Sequence, residues 1–314
     1  MRALIALGGN AMTSADGQAT PQAQEGAIAA AMERVADLVA AGVDVVLTHG
    51  NGPQVGNLLV KNELAAHVVP PVPLDWCGAQ TQATVGFTVL DTLEASLSRR
   101  GIDRRVAAVV TRTLVDLDDP GFSRPTKPVG RFLPREQAEP LIAHGETWED
   151  RGEKGWRRVV ASPQPVEVLD APAVDALIGA GFLVVAAGGG GIPVARREDG
   201  SLHGVECVLD KDLTAALLAR TVGADTLVIA TDVDNAIIGY GTPDARPLGR
   251  VTTKQMRAYA DEGHFASGSM GPKVEAAVRF VEAGGRRAVI TSLDRITEAV
   301  TGPDGAGTVI QNQT

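Results

Sequence analysis

Residues 3–11, ALIALGGNA, form an apolar run that stops abruptly at two glycines and an asparagine. An unbroken apolar run of this kind is typical of a strand buried on both faces of a parallel sheet. Residues 43–53, VDVVLTHGNGP, repeat the arrangement, and the segment 23–41 between the two runs has a helical period. The order strand, helix, strand predicts a β-α-β unit with a glycine turn at the end of each strand.

The same alternation continues along the chain and predicts an α/β fold with a mainly parallel sheet. The turn REDGS at 197–201 predicts an antiparallel hairpin within this arrangement. Further strands are predicted at 105–111, 182–187, 225–230 and 287–291, and further helices at 52–67, 75–99, 171–180, 211–222, 252–262 and 272–283.

Residues 116–165 interrupt the alternation with many prolines, dense mixed charge and two of the three tryptophans. A plain loop of that length is unusual in a compact domain, so this segment is predicted to be an inserted subdomain or an active-site lid. A disordered linker is the alternative. Trp148 and Trp156 argue against it because they suggest a small core of their own.

Composition and charge narrow the classes of protein to consider. The 314 residues carry a formal net charge of −9, which gives no general attraction for nucleic acid or an anionic membrane. Cys77 and Cys207 lie far apart without metal-ligand spacing, so buried, reduced thiols are expected. The N-terminal apolar run is shorter than a signal-peptide core, and no run has the length of a membrane span. A cytoplasmic protein is therefore expected.

Turns of similar character follow several predicted strands and indicate an anion site. They are LGGN at 7–10, THGNGPQ at 48–54, AAGGGGIP at 186–193 and TDVDN at 231–235. The carboxyl ends of parallel strands face one crevice, so these turns should converge. Bare backbone N–H groups and helix N-termini suit phosphate or another small anion. For any single glycine, a steric need of the turn is an equal explanation.

Two common nucleotide motifs do not fit these turns. The sequence has no GxxxxGK[ST], which excludes the usual P-loop. In GNGPQVG the glycines stand at 50, 52 and 56, one residue too long for GxGxxG, so dinucleotide binding is disfavoured.

The chain uses arginine as its habitual base, so its few lysines stand out. Lys127 lies between two prolines, Lys211 follows an apolar run at a predicted helix start, and Lys273 follows a turn at another. Compact ammonium groups at such rigid positions can neutralise a phosphoryl group during transfer. A surface or capping role is the alternative for each. The lysines expected to be ordinary solvated residues are Lys61, Lys154 and Lys254.

Acidic and histidine residues near these positions admit two interpretations each. Asp212 can orient the lysines, or it can be a first-turn carboxylate favoured by the helix dipole. Asp232 and Asp234 can accept hydrogen bonds from ribose hydroxyls, or they can simply form the turn. His49 is expected to shape its turn rather than act as a base. The other histidines share no metal-ligand spacing, and no dedicated protein metal site is predicted.

Eight motifs follow one another along the chain, in the order ALGGNA, THGNGPQVG, PLDWCGAQTQ, RPTKPVGRF, AAGGGGIPV, VLDKDL, TDVDNA and SGSMGPKVEAA. With these motifs in view, the chain resembles the carbamate kinases of the amino acid kinase family over essentially its whole length. The resemblance implies a three-layer αβα sandwich with a mainly parallel sheet, a small protruding subdomain and a homodimer. It implies reversible phosphoryl transfer between ATP and carbamate, giving ADP and carbamoyl phosphate, with Mg²⁺ accompanying the nucleotide.

The resemblance also implies roles for individual residues. Lys211 and Lys273 would contact the transferring phosphoryl group, Asp212 would organise them, and Lys127 would reach in from the protruding subdomain. The anion-binding turns would comprise Gly8, Gly9, Asn10, Gly50, Asn51, Gly52, Gly189 and Gly190. The residues around the nucleoside would be Asp232, Asp234, Tyr240, Met270 and Gly271.

The implied division of the chain has three parts. Residues 1–115 and 166–215 would bind the acceptor, 116–165 would form the lid over it, and 216–314 would bind the nucleotide. The expected physiological use is ATP synthesis from carbamoyl phosphate in arginine catabolism. The alternatives are a same-fold kinase for another small carboxylate or phosphonate, and an inactive nucleotide-binding regulator.

Three positions depart from the family pattern and bear on nucleotide affinity. Asn235 stands where glycine usually follows TDVD, and Ala161 and Ser267 each stand where proline is usual. Because Asn tolerates left-handed backbone, the turn at Asn235 is expected to survive.

Overall fold

A computed structural model describes residues 1–13, 20–265, 270–302 and 306–312, and for Asn10 the backbone only. The α-helices of this part of the chain are α1 Pro21–Ala40, α2 Gly52–Ala65, α3 Leu74–Arg99, α4 Pro120–Ser123, α5 Arg135–Ala143, α6 Ala171–Gly179, α7 Lys211–Thr221, α8 Thr253–Asp261, α9 Met270–Glu282 and α10 Ile296–Thr301. Its strands are β1 Arg2–Leu7, β2 Asp44–His49, β3 Val106–Ala108, β4 Arg112–Leu114, β5 Lys127–Leu133, β6 Trp148–Asp150, β7 Trp156–Val160, β8 Glu167–Val168, β9 Leu183–Val185, β10 Ile192–Arg196, β11 Leu202–Gly204, β12 Thr226–Thr231, β13 Ile237–Ile238, β14 Arg246–Pro247, β15 Arg250–Thr252, β16 Arg287–Ser292 and β17 Thr308–Gln311.

An eight-stranded sheet in the order β15-β17-β16-β12-β1-β2-β9-β3 forms the centre of the fold. The six strands from β3 to β16 run parallel, whereas β17 is antiparallel to β16. The predicted α/β class with a mainly parallel sheet is therefore confirmed. The two opposing strands at one edge are short and were not predicted.

Helices cover both faces of this sheet because successive residues of each strand point to opposite sides. Leu4 of β1 packs into a core shared with α7 and α9. Its neighbour Ile5 packs into the opposite core, shared with α1, α3 and α10. The result is the three-layer sandwich implied by the resemblance. Within the described residues, no helix combines the length and the apolar character needed to cross a membrane.

A second sheet, in the order β11-β10-β4-β8, lies beside the carboxyl edge of the first. Its β10 and β11 form the antiparallel hairpin predicted around 197–201, but the hairpin belongs to this separate sheet rather than to the parallel one. The strand predicted at 105–111 is also shorter than expected, because only Val106–Ala108 pairs with β9. Val110 is exposed, and the chain then crosses into the second sheet as β4.

Residues 116–165 fold around a third sheet, in the order β5-β7-β6, with α5 packed beside it. Trp148 is buried against Leu133 and Ala138, and Trp156 packs against the same cluster. The chain enters this unit near Asp119 and leaves it near Gln164. The carboxylate of Asp119 links these two segments, because it accepts hydrogen bonds from the backbone N–H of Gly121 and of Gln164.

Candidate active site

A lysine–aspartate cluster lies where α7 and α9 begin. Lys211 is the first residue of α7, and its Nζ is 2.5 Å from Oδ1 of Asp212. Lys273, in the first turn of α9, places its Nζ 2.9 Å from the other carboxylate oxygen, Oδ2. Both Lys273 and Asp212 are buried. The structure thus brings together three of the residues singled out from the sequence, with one carboxylate bridging two ammonium groups.

Burial and charge act against each other in this cluster. Burial alone would raise the pKa of Asp212, but Lys211 and Lys273 outweigh it and lower that pKa to about 2. Burial also lowers the pKa of Lys211 below the ordinary lysine value, and the charge of Asp212 opposes that shift. The carboxylate is therefore ionised at neutral pH and keeps two buried ammonium groups in one place. Such a pair of fixed positive charges suits an anion with several oxygens.

Lys127 lies at the start of β5 and reaches the same region from the third sheet. Its Nζ is 2.7 Å from Oδ2 of Asp210, the residue immediately before α7. Asp210 was not predicted from the sequence. Its position before a helix indicates only a capping residue, and it does cap α7, whereas the ion pair depends on a residue 83 positions away.

The glycine turns converge at the carboxyl ends of β1, β2 and β9, as predicted. A Cβ added to Gly50 would lie 3.2 Å from the backbone nitrogen of Gly9, so the first two turns pack backbone to backbone. A Cβ on Gly189 would lie 2.1 Å from Nδ2 of Asn51. Gly52 begins α2 directly after the turn that follows β2. Of Asn10, only the backbone can be placed in this group.

At two further glycines of these turns, a side chain would collide with atoms of a neighbouring element. A Cβ on Gly8 would lie 3.0 Å from the carbonyl oxygen of Ala230, at the end of β12. Gly190 has a φ of 92°, and a Cβ there would lie 2.8 Å from Cβ of Leu209. Leu209 precedes Asp210, so the turn after β9 packs directly against the segment that leads into α7.

Polar side chains that the sequence reasoning missed hold the turn after β9. The Nε2 of Gln82 donates to the carbonyl oxygens of Thr111 and Gly188, both at 3.1 Å. The hydroxyl of Thr113 donates to the carbonyl oxygen of Gly190 at 2.9 Å. The signal for Gln82 was its place in α3, where a polar residue falls on the buried face beside Val85.

His49 is buried beneath this turn. Its Nδ1 is 2.9 Å from the carbonyl oxygen of Gly50, and its ring fills the space where a Cβ on Gly188 would lie. Burial lowers its pKa to about 4, and the charge of Lys211 acts in the same direction. The histidine is therefore neutral at physiological pH and shapes the turn, as expected.

The residues expected around the nucleoside lie beyond the end of β12 and at the start of α9. Asp232, Asp234 and Tyr240 are exposed, and Asp234 is 3.8 Å from Arg295 rather than joined to the lysine cluster. Met270 begins α9, one turn before the cluster, and is partly buried. Gly271, which follows it, packs against the carbonyl oxygen of Phe265.

The three departures from the family pattern can be placed in part. Asn235 does not adopt left-handed backbone; instead its Nδ2 donates to the carbonyl oxygen of Leu248 at 2.8 Å, so the expected reason for its tolerance was wrong. The carbonyl oxygen of Ala161 accepts from the backbone N–H of Val208 at 3.0 Å. Ser267 lies outside the described residues.

Other expectations are confirmed. Cys77 and Cys207 are free, buried thiols, and burial raises the pKa of each, for Cys207 to about 12. The lysines predicted to be solvated are exposed, namely Lys61, Lys154 and Lys254.

Comparisons with known proteins agree with this arrangement. The amino acid kinase family model matches residues 1–292. The carbamate kinase of Thermococcus kodakarensis is 47% identical over 98% of this chain and 99% of its own. Carbamate kinase 1 of Enterococcus faecium is 41% identical over 98% of both chains. A solved carbamate kinase from Giardia lamblia, bound to AMP-PNP, superposes with a TM-score of 0.92 at 40% identity, covering 99% of this chain and 98% of that one. The chain belongs to the amino acid kinase family.

Proposed function

We propose that this protein is a carbamate kinase, which transfers a phosphoryl group reversibly between ATP and carbamate and so interconverts them with ADP and carbamoyl phosphate. The observation that carries the proposal is the buried Asp212 carboxylate bridging Lys211 and Lys273, beside the glycine turns. Relatives at 40–47% identity over nearly the whole chain carry the name carbamate kinase. The cluster supplies the positive charge that this chemistry requires.

Phosphoryl transfer needs positioning and neutralisation of charge more than covalent chemistry. Lys211 and Lys273 would contact the oxygens of the transferring group, and Asp212 would hold the two ammonium groups at a fixed spacing against their mutual repulsion. Lys127 would approach from the third sheet. Carbamate is already an anion with a nucleophilic oxygen, so no side chain has to remove a proton. The neutral, buried His49 fits a mechanism without a protein base.

The turns would divide between the two substrates. Gly8, Gly9, Asn10, Gly50, Asn51, Gly52, Gly189 and Gly190 would bind the acceptor and its phosphate through backbone N–H groups. The nucleoside would lie near Asp232, Asp234, Tyr240, Met270 and Gly271.

We assign the three parts of the chain accordingly. Residues 1–115 and 166–215 bind the acceptor, 116–165 form a lid over it, and 216–314 bind the nucleotide. Mg²⁺ enters with the nucleotide phosphates, since Asp210 and Asp212 are already engaged by lysines. The protein works as a homodimer in the cytoplasm, and its metabolic use is ATP formation at the end of arginine catabolism.

The test is ATP formation by the purified protein from ADP, Mg²⁺ and carbamoyl phosphate, followed by a luminescent assay. We expect turnover that requires all three. If ADP binds but no ATP forms, the same assay with acetyl phosphate and other small acyl phosphates distinguishes a kinase for a different acceptor from a regulator without activity.

A further inference from the structure

The carboxylate of Asp210 has two different partners. Its Oδ1 accepts hydrogen bonds from the backbone N–H of Asp212 at 2.9 Å and of Leu213 at 3.4 Å, which caps α7. Its Oδ2 accepts a hydrogen bond from Nζ of Lys127 at 2.7 Å. One buried side chain therefore joins the helix that begins with Lys211 to the lysine of the third sheet.

Backbone pairing brings the two partners of this ion pair together. Lys127 pairs with Val160 across β5 and β7, and the next residue, Ala161, accepts a hydrogen bond from the backbone N–H of Val208. Asp210 lies two residues further on. The third sheet is thus attached to the segment before α7 at the point where the ion pair forms.

Lys127 needs such a partner more than the other two lysines. About a third of its side chain is exposed, compared with 13% for Lys211 and 9% for Lys273. A long side chain at that exposure has many rotamers open to it, and an ion pair with a fixed carboxylate restricts them. Because Oδ1 holds the carboxylate in the helix cap, Oδ2 is a fixed point for the ammonium group.

We propose that Asp210 is a positioning residue that holds Lys127 beside the Lys211–Asp212–Lys273 cluster, ready to meet the transferring phosphoryl group. Its consequence for the reaction rests on the proposed function. Asp210 touches neither substrate in this scheme and acts through Lys127. Its negative charge opposes anion binding in the ground state, whereas its positioning of Lys127 lowers the barrier to transfer.

The first experiment measures the side chain directly and does not depend on activity. Limited acylation with acetic anhydride, followed by peptide mass spectrometry, gives the labelling rate of each lysine. Asp210→Asn keeps a good helix cap but removes the ion pair. We expect labelling of Lys127 to rise several-fold in this variant, relative to the exposed Lys254 within the same molecule. The matched control is Asp170→Asn, which removes a comparable ion pair with Arg112 before α6 and should leave Lys127 unchanged.

The second experiment is a double-mutant cycle on carbamoyl phosphate-dependent ATP formation. Lys127→Ala should lower kcat about 100-fold, the scale for losing one preorganised electrostatic contact. Asp210→Asn should lower kcat about tenfold without raising KM for carbamoyl phosphate. In the Lys127→Ala background the same substitution should cost no more than about twofold, because its effect passes through Lys127.

Three results would overturn the positioning role. One is unchanged labelling of Lys127 in Asp210→Asn, another is a full tenfold loss in the Lys127→Ala background, and the third is a higher KM with unchanged kcat. If Asp210→Asn does not fold, Asp210→Ser keeps a capping hydroxyl without the charge and serves in its place. If the wild type makes no ATP, the proposed function fails while the labelling experiment still decides the role of Asp210.

Discussion

Asp212 illustrates what can be predicted at the level of a single residue. An aspartate directly after a lysine at a helix start raises two possibilities, lysine orientation and a helix-dipole carboxylate, and the sequence cannot separate them. The structure separates them because Lys273, 61 residues away, contacts the second carboxylate oxygen. A carboxylate with both oxygens on buried ammonium groups has an electrostatic role that a dipole-stabilising residue lacks. Its removal should therefore be visible in the pH dependence of the reaction.

We predict that Asp212→Asn moves the alkaline limb of the pH–rate profile to lower pH. The charge of Asp212 raises the pKa of Lys211 against burial, so without that charge the pKa of Lys211 falls further. The ammonium form is then lost at a lower pH, and turnover at neutral pH should fall about 100-fold or more. The measurement is kcat/KM for carbamoyl phosphate from pH 6 to 10. An unchanged alkaline limb would show that Lys211 does not titrate in that profile.

At the scale of elements, the turn after β9 carries more constraint than its sequence indicates. The run AAGGGGIP predicts a turn with little side chain, and this was correct. The sequence did not reveal at which glycines a side chain would collide with its surroundings, since the surrounding atoms belong to other elements. Ala187 adopts a φ of 52°, held by hydrogen bonds from Thr48 and to Thr111. The strained backbone is thus fixed by side chains on β2 and on the segment before β4.

We predict different outcomes for two glycine substitutions with the same backbone strain. Gly190→Ala and Gly200→Ala both place alanine at positive φ, 92° and 82°, which costs about 1 to 3 kcal/mol of stability. A Cβ at Gly200 meets nothing within 4 Å, whereas one at Gly190 overlaps Leu209. Gly190→Ala should therefore also lower turnover at least tenfold, because a shift of Leu209 moves the start of α7.

Steady-state kinetics and urea unfolding of both variants test this prediction. Gly200→Ala should keep turnover near that of the wild type while losing some stability. Equal turnover in the two variants would mean that the contact with Leu209 does not position the lysines.

For the whole molecule, periodicity predicted the α/β class and most central strands, but not their order. Continuous apolar runs identify strands that are buried on both faces, as in ALIAL at 3–7. Three-residue edge strands such as β15 bury too few side chains to leave an apolar pattern in the sequence. The apolar residues of β17 do not indicate the direction in which the strand runs, so its antiparallel pairing could not be predicted. Likewise, the glycine turns and the lysines could be identified from their immediate sequence neighbours. Asp210 and Gln82 could not, because their hydrogen-bond partners lie far away along the chain. Long-range pairing is what the sequence pattern does not encode.

The buried His49 makes the stability of the whole fold depend on pH, and we predict the size of this dependence. The unfolded chain binds a proton at this histidine near pH 6.5, whereas the folded chain binds it only near pH 4, because burial lowers the pKa. The stability conferred by the neutral ring is therefore present above pH 6.5 and is lost as pH falls towards 4, amounting to roughly 3 kcal/mol. His49→Asn removes this titration, while its amide can still donate to the carbonyl oxygen of Gly50.

Urea unfolding at pH 7.5 and pH 4.5 tests the prediction through the difference between the two conditions. The free energy of unfolding at pH 7.5 minus that at pH 4.5 is independent of any constant cost of the smaller side chain, because that cost is the same at both pH values. This difference should be about 2 to 3 kcal/mol smaller in His49→Asn than in the wild type. His67→Asn, at an exposed histidine after α2, is the matched control and should follow the wild type. The stability that Asp212 gains from its lowered pKa is lost mainly below pH 3.8, its value in the unfolded chain. Asp212 therefore contributes little to the change in stability between pH 7.5 and pH 4.5. Equal pH dependence in wild type and His49→Asn would show that the acid sensitivity of the fold arises elsewhere.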